Sequence, residues 1–192
     1  ETAAKLGLPE LLNKGLTSFV NMGRLSPEKN QVALIKAFAK FNKEYPKTRL
    51  YIIGDGALMD ELKILISSLD MDEKIVLTGN MDNPFMLMKE CDCFILPSLH
   101  EGQPVSLLEA RLLKLPIIMS NFSSAQSSLF DNGQLLIGNT TDDIYKGLIA
   151  FMEGKVPTCE FNYEDYNDFE RQLGNEGAVL SMFELGDCAS QF

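Results

Sequence analysis

The fold of this chain is predicted from one stretch, C-F-I-L-P-S-L-H-E-G-Q-P-V-S-L-L-E, which runs from Cys93 to Glu109. It begins with an apolar strand, Cys93 to Leu96, which is closed by Pro97. Pro104 then opens a helix, because proline is favoured in the first helical turn, where its missing N–H costs nothing. A strand, a glycine-containing loop and a helix in this order are typical of a parallel α/β sheet.

The same alternation of short apolar runs and amphipathic stretches continues in both directions along the chain. Strands are predicted at Thr17 to Met22, Arg49 to Ile53, Lys74 to Thr78, Cys93 to Leu96, Pro116 to Ser120 and Leu135 to Ile137. Helices are predicted at Asn30 to Tyr45, Leu58 to Leu69, Pro84 to Glu90, Pro104 to Leu113 and Asp142 to Met152. Alternating strands and helices predict an open, doubly wound parallel sheet of the Rossmann-like α/β class.

Composition limits the possible functions. The chain has 192 residues, of which 45% are hydrophobic, and no apolar run approaches the ~20 residues that span a bilayer. A net charge of −10 argues against nucleic acid as a ligand, because that binding needs a basic face. We expect a single cytoplasmic domain over residues 1–192, with a core at about 17–154 and a C-terminal helix or tail at 155–192. Residues 1–5 lack the basic start and the apolar stretch of a signal peptide. They also lack an initiator Met, so we expect a piece of a longer protein.

The chain has four cysteines, of which Cys91 and Cys93 lie too close together for an unstrained disulfide. With a single histidine and no second cysteine pair nearby, we do not expect a zinc site. We therefore predict that the cysteines are reduced thiols.

Glycines follow the predicted strands at their carboxyl ends, namely Gly23, Gly54, Gly79 and Gly102. In a parallel sheet these turns lie together at the carboxyl ends of the strands, which is where ligands bind. The sequence Gly54-Asp55-Gly56 lacks the third glycine of a dinucleotide fingerprint, so a plain tight turn is the favoured interpretation of Asp55.

Charged side chains near these turns suit a phosphate-bearing ligand. Arg24 and Lys29 follow the first strand and could hold a diphosphate, or they could be surface cations of a solvated loop. Free backbone donors at the start of the helix near Val105 would attract an anion as well.

Two carboxylates, a histidine and a turn complete the candidate site. Glu101 lies in the loop after the fourth strand. Glu109 lies on the following helix, where it could bind hydroxyl groups or pair with Arg111 or Lys114. His100 either contacts the ligand or is satisfied by backbone. The turn Gly79-Asn80-Met81 either supports a base or is a plain turn. A ligand with both phosphate and hydroxyl groups, such as a nucleotide sugar, fits this set.

Four motifs in this order resemble the C-terminal, donor-binding domain of the retaining GT-B glycosyltransferases, glycosyltransferase family 4 (glycosyl transferases group 1). They are G-R-L-S-P-E-K-N (Gly23 to Asn30), I-I-G-D-G (Ile52 to Gly56), V-L-T-G-N-M (Val76 to Met81) and P-S-L-H-E-G-Q-P-V-S-L-L-E-A (Pro97 to Ala110). The resemblance covers Ser18 to Gly154 and implies one half of a GT-B fold.

The resemblance also implies roles for individual residues. Arg24 and Lys29 would contact the donor diphosphate, Glu101 would lie near the transferred sugar, and Glu109 would bind the ribose hydroxyls. The main chain around Met81 would hold the base. The predicted catalytic residues are Glu101, Arg24 and Lys29, and the predicted donor-binding residues are Gly23, Gly54, Gly79, Met81, His100, Gly102, Gln103, Pro104, Val105 and Glu109.

The implied reaction is transfer of a hexose, with retained anomeric configuration, from a nucleotide diphosphate to an acceptor hydroxyl. We expect UDP as the nucleotide, no metal or other cofactor, and a bacterial cell-envelope glycan, lipid-linked sugar or glycopolymer as acceptor. In this family the N-terminal half supplies the acceptor site, so we expect the present chain alone to be inactive. Any contact with the inner face of the membrane would come through that half.

The chain departs from the family pattern at two places. Gln103 and Pro104 stand where many members have an aromatic residue and a glycine, and the Asn121 to Phe130 loop lacks the usual glycine pair. The sequence leaves two alternatives to a transferase: a nucleotide-sugar-binding regulatory module without turnover, and, less favoured, a nucleotide-dependent oxidoreductase.

Overall fold

The described part of the chain forms a six-stranded, wholly parallel sheet with helices on both faces. The computed structural model describes residues 15–101, 104–122 and 133–158. Strands β1 to β6 are Thr17–Met22, Thr48–Ile53, Ile75–Gly79, Cys93–Leu96, Ile117–Ser120 and Gln134–Ile137. Helices α1 to α5 are Gln31–Asn42, Met59–Ser68, Phe85–Met88, Val105–Leu112 and Thr141–Met152, and a 3-10 helix covers Pro27–Lys29. The prediction of a Rossmann-like α/β sheet is confirmed.

The strand order places a crevice beside β1. The order is β3-β2-β1-β4-β5-β6, so β1 pairs with β2 on one side and with β4 on the other. Chain connections therefore lead away from the β1–β4 boundary in opposite directions. In sheets of this kind, ligands bind outside the carboxyl ends of the strands at that boundary.

Side chains that alternate along the strands form two separate hydrophobic layers, one on each face of the sheet. Phe19 of β1 faces the layer that contains α1, α2 and α5, whereas its neighbour Val20 faces the layer with α3 and α4. Phe19 makes edge-to-face contacts with Phe38, Phe41 and Phe151, at centroid distances of 6.2, 5.6 and 5.3 Å. Such contacts stabilise the packing of α1 and α5 against β1 beyond the burial of the rings themselves.

Helix α1 ends three residues earlier than predicted. The side chain of Asn42 donates to the Thr48 hydroxyl at 2.9 Å, which ties the last helical residue to the start of β2. Tyr45 still stacks on Phe41, with a centroid distance of 4.9 Å, although it lies beyond the helix. The apolar pattern that predicts the helix therefore extends to Tyr45, although the helix itself ends at Asn42.

Helix α4 begins one residue later than predicted. Pro104 has a ψ of 82°, which is not helical, so it precedes the helix and Val105 is its first residue. The carbonyl of Pro104 nevertheless accepts from the Leu107 N–H at 2.9 Å, as expected at a helix start.

Both described cysteines are free and buried in the sheet region. Burial raises the pKa of the Cys91 thiol to about 12 and raises that of Cys93 well above its usual value. Neither cysteine of this pair forms a disulfide in the described part of the chain, and their redox state stays a prediction. Cys159 and Cys188 lie outside the described residues. Most of the predicted tail at 155–192 lies outside them too, so the division into core and tail stays a prediction. Among the described helices, none has the length and apolar content that crossing a bilayer requires.

Candidate functional site

The turns that follow β1, β2 and β3 are joined to one another by backbone hydrogen bonds. The Gly23 N–H donates to the Ile53 carbonyl at 3.0 Å, and the Gly54 N–H donates to the Gly79 carbonyl at 3.0 Å. The Leu25 N–H donates to the Asp55 carbonyl at 3.0 Å. The predicted convergence of these turns at one sheet edge is confirmed.

Two glycines allow this close approach of the main chains. A Cβ on Gly54 would lie 2.1 Å from the carbonyl oxygen of Gly23, and Gly54 has a φ of 133°. A Cβ on Gly56 would lie 2.4 Å from the carbonyl oxygen of Leu25. Glycine is therefore required for packing at both positions, which is a structural reason for the Gly54-Asp55-Gly56 turn.

A cavity of about 380 Å³ opens between these turns. Its lining residues are Met22, Gly23, Arg24, Ile53, Gly54, Asp55, Asn80, Met81 and Pro84. Four of the predicted site residues, namely Gly23, Arg24, Gly54 and Met81, are thus brought together. Gly79 adjoins the cavity through its hydrogen bond to Gly54.

The cavity wall combines apolar surface with a few polar groups. Met22, Met81 and Pro84 supply apolar surface, whereas Arg24 and Asn80 supply hydrogen-bond donors. Small-molecule sites commonly have this composition, with apolar walls and a small number of placed polar groups. The cavity therefore suits a small ligand that has both an apolar part and polar groups.

The strongest polar contact of this region joins Lys29 to Glu101. The Lys29 Nζ atom lies 2.7 Å from Oε1 and 2.8 Å from Oε2 of the Glu101 carboxylate. The side chain of Glu101 is 5% exposed and that of Lys29 is 21% exposed. Ser98 Oγ donates to Glu101 Oε1 at 2.6 Å, and the carbonyl of Ser98 in turn accepts from the Ser120 hydroxyl. Glu101 is therefore held from two sides.

The loops after β1 and β4 meet to form this pair. Lys29 ends the 3-10 helix of the first loop, and Glu101 lies just beyond β4. The Leu99 N–H donates to the Glu28 carbonyl at 2.8 Å, which joins the two loops directly. Asn30 reinforces them, because its side-chain amide donates to the carbonyls of Pro97 at 3.1 Å and Asn139 at 2.8 Å.

The ion pair lies beside the cavity. The position of a Cβ on Gly23 would be 3.6 Å from Cε and 4.0 Å from Nζ of Lys29. Gly23 is also part of the cavity wall. The lysine side chain therefore lies next to one residue of the cavity wall, Gly23.

Glu109 occupies a half-buried position on α4. Loss of hydration raises the pKa of its carboxyl from 4.5 to about 7. Its predicted role in holding ribose stays a prediction, and so does the predicted shared ligand with Glu101.

The remaining predicted residues have different surroundings. Val105 is 45% exposed at the start of α4, Pro104 before it is buried, and His100 is exposed in the loop after β4. Gly102 and Gln103 lie outside the described residues, as does most of the Asn121 to Phe130 loop. The part of the chain that the structure describes contains no group of three or more metal-ligating side chains.

Five residues of the cavity wall are not among the predicted site residues, namely Met22, Ile53, Asp55, Asn80 and Pro84. For Asp55 and Pro84, sequence reasoning favours a purely structural role. The sequence indicates only a tight turn for Asp55; its carboxylate does accept from the Gly56 N–H at 2.7 Å, but the residue also lines the cavity. For Pro84 it indicates only a helix start. Both residues come shortly after a strand end, and that position is the signal available in the sequence.

The fold and the site together define a parallel α/β domain with a cavity at the carboxyl ends of its strands. Comparison of the sequence with known families identifies the family of the chain. The pattern of the family "Glycosyl transferases group 1" matches residues 9–171, so the chain belongs to that family. It is 34% identical over 163 residues to an uncharacterized glycosyltransferase of Methanocaldococcus jannaschii, covering 85% of this chain and 39% of that protein.

A second relative is named for its reaction. The chain is 34% identical over 145 residues to the UDP-Gal:alpha-D-GlcNAc-diphosphoundecaprenol alpha-1,3-galactosyltransferase of Escherichia coli, covering 72% of this chain and 37% of that protein. The chain thus spans about two-fifths of the length of both curated relatives.

A solved structure agrees with the fold. The crystal structure of the C-terminal domain of LpcC, a glycosyl transferase group 1 family protein from Francisella tularensis, superposes with a TM-score of 0.63 at 19% identity. The match covers 72% of this chain and 76% of that one. The six-stranded parallel α/β fold of this chain is therefore similar to that of the LpcC domain.

Proposed function

We propose that this chain is the donor-binding half of a retaining glycosyltransferase, which binds a UDP-sugar and passes its hexosyl group to an acceptor hydroxyl. The observation that carries the proposal is the cavity between the turns of β1, β2 and β3, with the Lys29–Glu101 pair at its border. Arg24 in the cavity wall and Lys29 beside it are the cations for the diphosphate. No metal is needed in this proposal, because those cations balance the charge that develops on the leaving group.

The other parts of the donor are proposed to bind in the cavity and next to it. The apolar side chains of Met22, Met81 and Pro84 would pack against the base. Glu109 is proposed to accept hydrogen bonds from the ribose hydroxyls, and Glu101 to lie near the transferred sugar. Carboxylate oxygens suit both tasks, since they accept hydrogen bonds from hydroxyl groups. Because its pKa is raised to about 7, Glu109 takes the ionised form, which only accepts hydrogen bonds, above that pH.

The relatives support the choice of donor and acceptor. The Escherichia coli relative is named for UDP-Gal and for a lipid diphosphate acceptor, and a Campylobacter jejuni relative, 31% identical over 137 residues, is named for an undecaprenol diphosphate acceptor. We therefore propose UDP as the nucleotide and a lipid-linked glycan of the cell envelope as the acceptor class. The acceptor is proposed to bind a second half that this chain does not include. The expected cytoplasmic location stays a prediction.

Calorimetric titration of the 192-residue chain tests donor binding. UDP is expected to bind with a dissociation constant of roughly 1–100 µM, and GDP and NAD more weakly. Arg24→Ala should weaken UDP binding about tenfold or more, because a charge-assisted contact to phosphate is lost.

Arg49→Ala is the matched control. Arg49 lies near the opposite end of the sheet, at the start of β2, and its side chain donates to the Glu73 carbonyl at 3.0 Å. This substitution should leave UDP binding unchanged. Absence of UDP binding by the unmodified chain would overturn the proposal, as would equal losses for the two arginine variants.

The role of Glu109 is tested with 2′-deoxy-UDP. The unmodified chain should prefer UDP to 2′-deoxy-UDP, and Glu109→Gln should reduce this preference. An unchanged preference would remove Glu109 from the ribose site while leaving the rest of the proposal intact.

Transfer itself requires the longer protein. A protein that joins this chain to an N-terminal half should convert UDP-galactose and a lipid-linked acceptor to a product whose anomeric configuration, read by NMR, is retained. A parent protein that binds UDP-sugar but transfers no sugar to any acceptor would favour the non-catalytic binding module instead.

A further inference from the structure

We infer that Glu101 is a built-in counter-ion for Lys29 and that the diphosphate of the donor displaces it on binding. The inference rests on the proposed function, because it takes a nucleoside diphosphate as the ligand of the same site. It adds a second role for Glu101: the carboxylate competes with the ligand for the lysine and thereby favours release of the nucleotide product.

The contacts of the pair show that Lys29 already has an anionic partner without a ligand. Both oxygens of the Glu101 carboxylate lie within 2.8 Å of the Lys29 ammonium. With only 5% of its side chain exposed, Glu101 has little water to replace this partner. The Coulomb attraction between the two groups is therefore stronger than in a pair in open solvent.

The two partners differ in freedom. Ser98 donates to Glu101 at 2.6 Å and is itself buried, so the carboxylate is fixed from behind. Lys29 has a flexible four-carbon side chain, and it is the more exposed partner. Of the two groups, the ammonium is therefore the one that moves.

The cavity is within reach of that movement. The ammonium lies 4.0 Å from the position of a Cβ on Gly23, and Gly23 lines the cavity together with Arg24. A diphosphate bound against Arg24 and the Gly23 main chain would meet the Lys29 ammonium after a change in its terminal torsions alone.

Whether nucleotide binding tightens or weakens on removal of the Glu101 charge separates two roles for Glu101. If Glu101 competes for the lysine, removing its charge frees Lys29 for the phosphates and tightens nucleotide binding. If Glu101 instead holds Lys29 in the orientation that receives phosphate, removing its charge loosens binding.

The experiment is calorimetric titration of UDP into the unmodified chain and into Glu101→Gln, at about 0.15 M salt. We expect the variant to bind UDP about fivefold to tenfold more tightly, which exceeds the value of an exposed ion pair because this pair is largely buried. Circular dichroism and a thermal melt establish that the variant is folded. Should Glu101→Gln not fold, Glu101→Asp keeps the charge but withdraws it by one methylene group, and it should also bind UDP more tightly.

Glu28→Gln is the matched control for net charge. Glu28 is adjacent to Lys29 in sequence, but its exposed carboxylate accepts from the Ser26 hydroxyl at 2.6 Å. Its loss should change UDP affinity by less than about twofold at this salt concentration, where exposed charges are well screened.

The possible outcomes are distinct. Tighter binding by Glu101→Gln but not by Glu28→Gln supports the inference. Equal or weaker binding by Glu101→Gln, with UDP still bound by the unmodified chain, overturns the inference and leaves the proposed function standing. Equal tightening in both variants reduces it to an effect of net charge and overturns it as well. No UDP binding by any of these proteins overturns the proposed function and the inference with it.

Discussion

Gly54 lies against Gly23 with no room for a side chain between them, because a Cβ on Gly54 would be 2.1 Å from the Gly23 carbonyl oxygen. The contact sets the distance between the turns of β1 and β2, and these two turns form much of the cavity wall. Close packing of main chains thus shapes the site before any charged side chain contributes to it.

Gly54→Ala should therefore deform the cavity. The methyl group meets backbone that cannot rotate away, and a φ of 133° is strained for any residue with a Cβ, so we expect a loss of about 2–4 kcal/mol in the free energy of unfolding. UDP binding should be lost in the fraction that still folds. Urea unfolding and calorimetry measure the two effects.

Gly154→Ala is the control for backbone strain alone. Gly154 also has a positive φ, of 70°, but no neighbouring atom lies within 4 Å of the position that a methyl group would take there. Its substitution should cost about 1 kcal/mol and leave UDP binding intact. Equal effects of the two substitutions on UDP binding would mean that the Gly23–Gly54 contact does not shape the site.

Glu109 should make stability depend on pH between about 4.5 and 7. Its pKa is raised to about 7 in the folded chain, so the folded state holds this proton more tightly than the unfolded state does. The free energy of unfolding therefore falls as the pH rises through this window, by up to about 3 kcal/mol from this group. Glu109→Gln should remove that component, so the variant gains stability relative to the unmodified chain at pH 8 more than at pH 5.

Urea unfolding at pH 5 and pH 8 measures the effect, with Glu73→Gln as the control. Glu73 is exposed, and its substitution should change stability equally at both pH values. A difference between the two pH values that persists unchanged in Glu109→Gln would show that other groups are responsible.

Asn30 should contribute to the free energy of unfolding through its side chain and through its backbone conformation. It has a left-handed φ of 59°, and its amide bonds the carbonyls of Pro97 and Asn139. Asn30→Gly keeps the backbone conformation but removes both bonds, and should cost about 1–3 kcal/mol. Asn30→Ala should cost about 1 kcal/mol more, since alanine is strained in the left-handed region.

Chemical denaturation of the two variants separates these contributions. A smaller loss for alanine than for glycine would contradict the assignment of strain. No loss for either would mean that the loops after β1, β4 and β6 are held by other contacts.

Cys91 and Cys93 should resist alkylation in the folded chain. Burial keeps both thiols protonated at pH 8, because it raises the pKa of Cys91 to about 12 and that of Cys93 far above its usual value. Iodoacetamide labelling followed by peptide mapping reads each cysteine separately. We expect full labelling of this pair in urea and almost none without it; rapid labelling of the native chain would contradict the burial of these strands.

The sequence predicts the strands well because glycine and proline mark their ends. The bounds of β1 and β4 are as predicted, since Gly23 and Pro97 follow them directly. The 3-10 helix at Pro27–Lys29 is not predicted, because a single short turn leaves no periodic pattern.

The convergence of the site is also predictable, but its contacts are not. Parallel strands bring Gly23, Gly54 and Gly79 to one edge whatever their side chains are. The pairing of Lys29 with Glu101 joins residues 72 positions apart and depends on how two loops fold against each other. No local pattern in the sequence reports such a contact, and the same holds for the burial that raises the pKa of Glu109.

The central claim is that the turns after β1, β2 and β3 form one nucleotide site, and a titration of the ¹⁵N-labelled chain with UDP, followed by NMR, tests it most directly. We predict amide shifts concentrated at Gly23, Arg24, Gly54, Asn80 and Met81, at the carboxyl edge of the sheet. Shifts concentrated instead at the opposite edge, around Ser18, Thr48 and Asp92, or no shifts at all, would contradict the account.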